Sequence, residues 1–299
     1  MIKNNSNLCI TFAGVCFNLH LEKAIEITPH FNNFMRDDGT FTYHVWFHQQ
    51  KVLPVVTYNL LMHGMEYSIY QDNKGNFYRR FHDHKSDDKP YAVTSYNLAE
   101  RQVLIEYLPE AGKFFNETGN CFFHIGWEKI MIQESRLVLH ASCVDTPYGG
   151  ILFSGPSGIG KSTQSDLWCK YMNSVMINGD RPILYKKEGR WIASGSPYAG
   201  SSRCHVNKTC FANAVVILRQ ASECSLRQMK AGEAFLKLYS EMTVNSWDKE
   251  FVERVCDLTT NLVTNVPVYE LSCTPDYQAV EILKNELLKG GAYNGNGAL

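Results

Sequence analysis

ILFSGPSGIGKSTQSDLW, residues 151–168, decides how this chain is read. An apolar run enters a glycine-rich loop, followed by Lys161, Ser162 and Thr163 and then by helical spacing. Gly155-Pro156-Ser157-Gly158-Ile159-Gly160-Lys161-Ser162 fits G-x-x-x-x-G-K-[ST] without a gap, in the strand-before, helix-after context such a loop needs. Glycines let backbone N–H groups close around phosphate oxygens, and a helix starting near Lys161 adds its positive end. Residues 155–163 are therefore the expected contacts of a nucleotide phosphate. Lys161 would reach the β- and γ-phosphates, and the Ser162 hydroxyl would face Mg2+.

The flanking segments set the fold class. RLVLHASCV (136–144) and GILFSG (150–155) read as two strands joined by a tight loop. The helix after the glycine loop places Leu167, Trp168, Tyr171 and Met172 in one stripe, expected to be buried, and ends by Asn173. A doubly wound domain would then alternate strand and helix. Instead SVMI, RPILYKK, RWIASG and NAVVILRQ come as hairpin-like pieces, with a turn at Glu188-Gly189. The sheet around the loop is thus expected to be mixed, or antiparallel on one side. Helical texture returns at 231–242 and 248–262, then a strand at 266–273 and a last helix at 276–288.

Residues 1 to about 107 are rich in short aromatic and β-branched runs, at 40–49, 52–61, 66–72, 77–82 and 91–98. Turn tracts separate them, and DNKGN (72–76) is a hairpin signal. LCITFAGVCF (8–17) lacks the flanks of a signal peptide and reads as a first strand pair. A twisted antiparallel sheet is expected here, and GNCFFHIGWEKIMIQES (119–135) is expected to be one helix. The domain expectation is a β-rich region over 1–107 for substrate or partner binding, a catalytic domain over 108–289, and a disordered tail over 290–299.

Bulk properties narrow the partners. With 299 residues, 44% hydrophobic, and a net charge of −1, no global field draws the chain to nucleic acid or an anionic membrane. No apolar run reaches the ~18–20 residues of a membrane helix. None of the ten cysteines forms a C-x-x-C pair. Buried, reduced thiols and a cytoplasmic setting are expected. His82 and His84 in FHDHKSDD sit in a polar loop, and zinc is not expected there.

Three further places carry candidate chemistry. In INGDRP (177–182) a strand emerges into Asn178, Gly179 and Asp180. A carboxylate there can bind Mg2+ or take a proton from an attacking hydroxyl, although Asn-Gly-Asp is also strong turn chemistry. His140, on the strand before the loop, could approach the γ-phosphate, yet a lone histidine in a β-rich core is more often simply packed. GSPYAGSSR (195–203) could bring Arg203 to a transferring phosphate, or be an ordinary small-residue turn.

Together, a histidine in HAS, GPSGIGKST, NGDR and GSPYAGSS resemble the catalytic domain of HPr kinase/phosphorylase, one of the phosphoenolpyruvate-carboxykinase-like P-loop kinases. The short HPr-kinase-like relatives, among them kinases of ribosomally made peptides, are the nearest in pattern. The resemblance covers 136–205 well and the rest to Leu288 by texture. It implies an α/β (α+β) fold, a mixed-sheet P-loop kinase domain preceded by the β-rich region. It makes Lys161 and Ser162 the phosphate and Mg2+ contacts, His140 a neighbour of the phosphates, and Asp180 the preferred base. Two departures stand out. Gly179 replaces the first of two adjacent acids, and the downstream glutamate-x-arginine-glycine signature is missing, which removes the grounds for phosphorylase activity and for HPr as substrate.

The expected activity is ATP- and Mg2+-dependent transfer of the γ-phosphoryl group to a hydroxyl of a peptide or protein serine, or of a small molecule. Asp180, His140, Lys161 and Arg203 would be the catalytic residues, and Ser162 and Asp180 the metal ligands. The alternative is a nucleotide-binding switch or accessory module with slow ATPase activity and no transfer. Carboxykinase chemistry lacks its second ligand cluster. Oligomeric state stays open, a homo-oligomer included.

Overall fold

The computed structural model describes residues 7–56, 58–83, 89–202 and 204–289. Arg203, His84 and the tail 290–299 lie outside them. The chain divides into two compact units, residues 1–133 and 134–299. Both carry mixed sheets with helices, an α+β architecture.

The first unit is built on eight strands, β1 (Asn7–Phe12), β2 (Val15–His20), β3 (Phe41–Gln49), β4 (Asn59–His63), β5 (Tyr67–Gln71), β6 (Phe77–His82), β7 (Pro90–Asn97) and β8 (Gln102–Tyr107), with a short helix α1 (Pro29–Asn32). Their order is β1-β2-β3-β8-β7-β6-β5-β4. The expected purely antiparallel sheet is corrected at its centre, where β3 runs parallel to both β2 and β8. Residues 21–40 give β2 and β3 the long crossover that parallel neighbours need. β4 starts seven residues later than the apolar run at 52 suggests. Pro54 has no N–H for a ladder, and Val52 and Val55 are 78% and 77% exposed. The β5–β6 turn matches its sequence: Asp72 Oδ1 accepts from the N–H groups of Lys74 (2.9 Å) and Asn76 (2.8 Å), and Gly75 takes φ +87°.

Residues 109–133 belong to this unit, whereas the sequence reading put them in the second. They form a 3₁₀ turn (Pro109–Phe115), α2 (Thr118–Ile125) and α3 (Trp127–Gln133). The reason is aromatic packing onto the sheet, with Phe122 5.0 Å from Phe17 and Phe115 5.7 Å from Phe47 between ring centroids. The single expected helix is two. Gly126 breaks it in the left-handed region (φ 67°), and a Cβ there would lie 2.7 Å from the Arg79 guanidinium.

The second unit contains β9 (Leu137–Val138), β10 (Ala141–Thr146), β11 (Gly149–Ser154), α4 (Lys161–Met172), β12 (Val175–Asn178), β13 (Ile183–Lys187), β14 (Arg190–Ser194), β15 (Thr209–Gln220), β16 (Ser225–Gln228), α5 (Ala231–Tyr239), α6 (Lys249–Asn265), β17 (Val268–Cys273) and α7 (Tyr277–Lys289). β15 organises the sheet. It pairs parallel with β11 and β17 and, along its first residues, antiparallel with β14. The hairpin texture after Asn173 becomes β13–β14, turned at Glu188 and Gly189, both with positive φ. Phe153, Trp168, Val216, Leu271 and Leu283 join one core that α4 and α7 close. No helix of the described residues is long and apolar enough to cross a membrane.

Candidate functional site

The glycine loop connects β11 to α4, and its backbone explains its spelling. Gly155, Gly158 and Gly160 have φ of 140°, 80° and 114°, a region where a side chain is strained. Gly160 is the N-cap of α4 and brings no side chain to cap it. The first N–H groups of that helix are therefore presented to the loop rather than to a cap. Nothing lies within 4 Å of a Cβ added at Gly158 or Gly160, so the space over them is open. The Lys161 side chain folds back, and its Nζ donates to the carbonyls of Gly155 (2.8 Å) and Pro156 (3.1 Å). Burial lowers its pKa, Glu241 and Asp180 oppose that shift, and Arg181 adds to it. Ser162 is half-buried and Thr163 exposed on the first turn.

The expected stripe of α4 is corrected in part: Trp168 is buried and Leu167 and Met172 pack half-buried against the core, but Tyr171 is exposed. The fully buried face runs through Lys161, Gln164, Ser165 and Trp168, at i, i+3, i+4 and i+7. The polar members of that face are tied to β10, since Ser142 Oγ donates to the Lys161 carbonyl (3.0 Å) and Ser165 Oγ to Ser142 Oγ (2.6 Å). These buried bonds fix the helix start against the sheet.

Asp180 follows β12 on a turn that Asn178 builds. The fully buried Asn178 takes the N–H groups of Asp180 (3.0 Å) and Arg181 (2.7 Å) on Oδ1, and donates from Nδ2 to the carbonyls of Ser196 (3.0 Å) and Tyr198 (3.1 Å). Asn178 thus carries the turn chemistry, and it fixes the 195–200 segment beside Asp180 at the same time. Gly200 sits so close that its added Cβ would be 2.9 Å from the Asp180 side chain. Gly179 has a related constraint: an added Cβ would overlap the Ser202 hydroxyl. A second acid at 179 has no room in this packing.

His140 lies in a break between β9 and β10, where one strand was expected. Its N–H donates to the Glu241 carbonyl (2.8 Å), and the next N–H, of Ala141, to the Asp180 carbonyl (3.0 Å). The ring bridges the two side chains. Nδ1 is 3.0 Å from Glu241 Oε2, and Nε2 is 3.4 Å from Asp180 Oδ1. Arg181 completes the cluster, with Nε 3.5 Å from Asp180 Oδ2 and Nη1 donating to Thr243 Oγ1 (3.0 Å).

Of the residues picked from sequence, His140 and Asp180 are in direct contact, and Lys161 is anchored beside them to β10 through Ser142. Arg203 is outside the described residues. Glu241 and Arg181 are additions. Arg181 was legible beside Asp180. Glu241 was not, because it sits in the turn after α5, 101 positions from its histidine, in a run that reads only as helix.

No protein-family model and no curated protein matches the chain. Among solved structures, the HPr(Ser) kinase/phosphatase from Coxiella burnetii is similar at 14% sequence identity and a TM-score of 0.34, over 52% of this chain and 94% of that one. A likeness of that degree gives no support to any role below.

Proposed function

We propose that this protein is an ATP- and Mg2+-dependent phosphotransferase whose acceptor is a hydroxyl group. One observation carries the reading: neighbouring residues of β10 anchor both Asp180, through the Ala141 N–H, and Lys161, through Ser142 Oγ, at the uncapped start of a glycine-loop helix. The residues present fit a polyphosphate. Three left-handed glycines, open space above two of them, and a lysine amid loop carbonyls make an anion cradle. Residues 155–163 would hold the phosphates, and Ser162 and Asp180 would hold Mg2+. Bound ATP supplies the phosphoryl group.

The chain's own groups then have three tasks. Lys161 moves from the Gly155 and Pro156 carbonyls to phosphate oxygens and neutralises charge there. Asp180 accepts the proton of the acceptor hydroxyl as its oxygen attacks. His140, held between Glu241 and Asp180, orients that carboxylate. The acceptor is a serine of a peptide or protein, or a small-molecule alcohol. The packing of Ser202 over Gly179, which leaves a single acid, favours a second reading as a nucleotide-operated switch with slow hydrolysis.

Purified protein with γ-labelled ATP and a panel of serine peptides and polyols separates the two. Label in an acceptor supports transfer, whereas hydrolysis with no labelled acceptor favours the switch. Lys161→Ala should weaken nucleotide binding by roughly 100-fold, the loss of one strong charge-assisted contact. Undiminished binding in that variant would remove the loop as the site.

Glu241→Gln keeps the size of the side chain but removes its charge from His140 Nδ1. Transfer should fall roughly 10-fold, as for other partners that orient a histidine through its second nitrogen. The pH profile of transfer should move as well. A lowered melting temperature with an unmoved profile would make Glu241 merely structural.

A further inference from the structure

We propose that Cys9, Cys16 and Asp37 of the first unit form a site for a zinc-class divalent cation, with one coordination position left open. Two thiols and a carboxylate oxygen there lie within 4.8 Å of one another. Cys16 Sγ is 3.9 Å from Asp37 Oδ1. Zinc bonds of about 2.3 Å to sulfur and about 2.1 Å to oxygen give tetrahedral edges of about 3.6–3.8 Å. The Cys16–Asp37 edge is already close to that, and the other two edges are at most 4.8 Å.

The backbone explains why the three meet. In the β1–β2 register Cys9 faces Asn18 and Thr11 faces Cys16, so both thiols emerge on the same side of the hairpin, one diagonal apart. Asp37 arrives on the segment between α1 and β3, which is tied across that hairpin. Thr11 donates from N to the Phe34 carbonyl and from Oγ1 to the Arg36 carbonyl, both at 2.8 Å, and the Phe41 N–H reaches the Gly14 carbonyl at 3.1 Å. Gly39 lies on Cys16 itself, and a Cβ there would be 2.5 Å from Cys16 Cβ. Only glycine lets the segment lie so close.

Asp37 is exposed, yet its Oδ1 is turned to the fully buried Cys16 thiol, which donates to it. A soft or borderline divalent ion would hold both sulfurs as thiolates. Cys9 is part-exposed and offers the entry path. The open position suits water.

The test is titration of the full chain, kept reduced, with Zn2+ by calorimetry and with Co2+ by absorption. One equivalent should bind, with the thiolate-to-cobalt charge-transfer band and the intense visible bands of a tetrahedral site. Cys9→Ser should lose that equivalent, and Asp37→Asn should weaken it by roughly 10–100-fold. Cys256→Ser, on α6, should keep it. Asp37 is exposed, so its variant folds even if replacement of the buried Cys16 does not. No bound cation in the wild type, or the same stoichiometry and bands in Cys9→Ser and Asp37→Asn, overturns the assignment.

Discussion

Asp180→Asn is expected to lower phosphoryl transfer by about 10²–10⁴-fold while nucleotide affinity at saturating Mg2+ stays within about threefold of wild type. The substitution is well suited to the question because it keeps the local structure. The Asp180 N–H bond to Asn178 and the bond from the Ala141 N–H to its carbonyl are both backbone features. The new amide has the size of the carboxylate, so the close approach of Gly200 is unaffected. What changes is the charge facing His140 Nε2 and Arg181 Nε, and with it the capacity to take a proton. Single-turnover transfer and a nucleotide titration, each at several Mg2+ concentrations, give separate readouts. A rate equal to wild type would end the base role. A loss of affinity that excess Mg2+ restores would instead make Asp180 chiefly a metal ligand.

The legible parts of this site are those spelled by neighbours in sequence. The left-handed glycines, the helix start at Lys161 and the Asn178 turn each follow from a few consecutive residues, because backbone strain and turn chemistry are local. The β13–β14 hairpin was legible for the same reason. Glu241 was invisible, since nothing in Leu-Tyr-Ser-Glu-Met announces that its backbone will pair with His140. The crowding of Ser202 over Gly179 is a contact between two turns, so the missing acid could be noted from sequence but not explained. In the first unit the alternation of β2 and β3 was legible as strands but not in their directions, and β8 was covered only by the general β-rich texture. Direction there depends on the crossover through 21–40, not on which residues alternate. The Cys9–Cys16–Asp37 grouping needs both the hairpin register and the Gly39 contact, and neither has a local spelling.

Glu128→Ala should destabilise the first unit by about 3–5 kcal/mol, the cost of leaving a buried charge without its partner. Glu128 lies in the first turn of α3, just after the Gly126 break, and its Oε1 is 2.6 Å from Arg79 Nη2. The two side chains are 4% and 14% exposed for arginine and glutamate, so water cannot replace the lost carboxylate. Arg79 is otherwise held against the Tyr67 ring, 4.5 Å from its centroid, and its Nε makes no hydrogen bond among the described residues. Gly126 presses on the same guanidinium, so Arg79 cannot swing out without disturbing the α2–α3 turn. Removing both charges is a different experiment. Arg79→Met with Glu128→Leu leaves nothing ionised in the pocket and should recover most of the loss, because an apolar pair of similar volume has no desolvation penalty. Urea unfolding followed by a probe in the first unit measures both variants, and the two units are fitted as separate transitions. A Glu128→Ala midpoint within about 1 kcal/mol of wild type would mean that the guanidinium finds water or another acceptor on opening, and that the pair is not what fixes the turn.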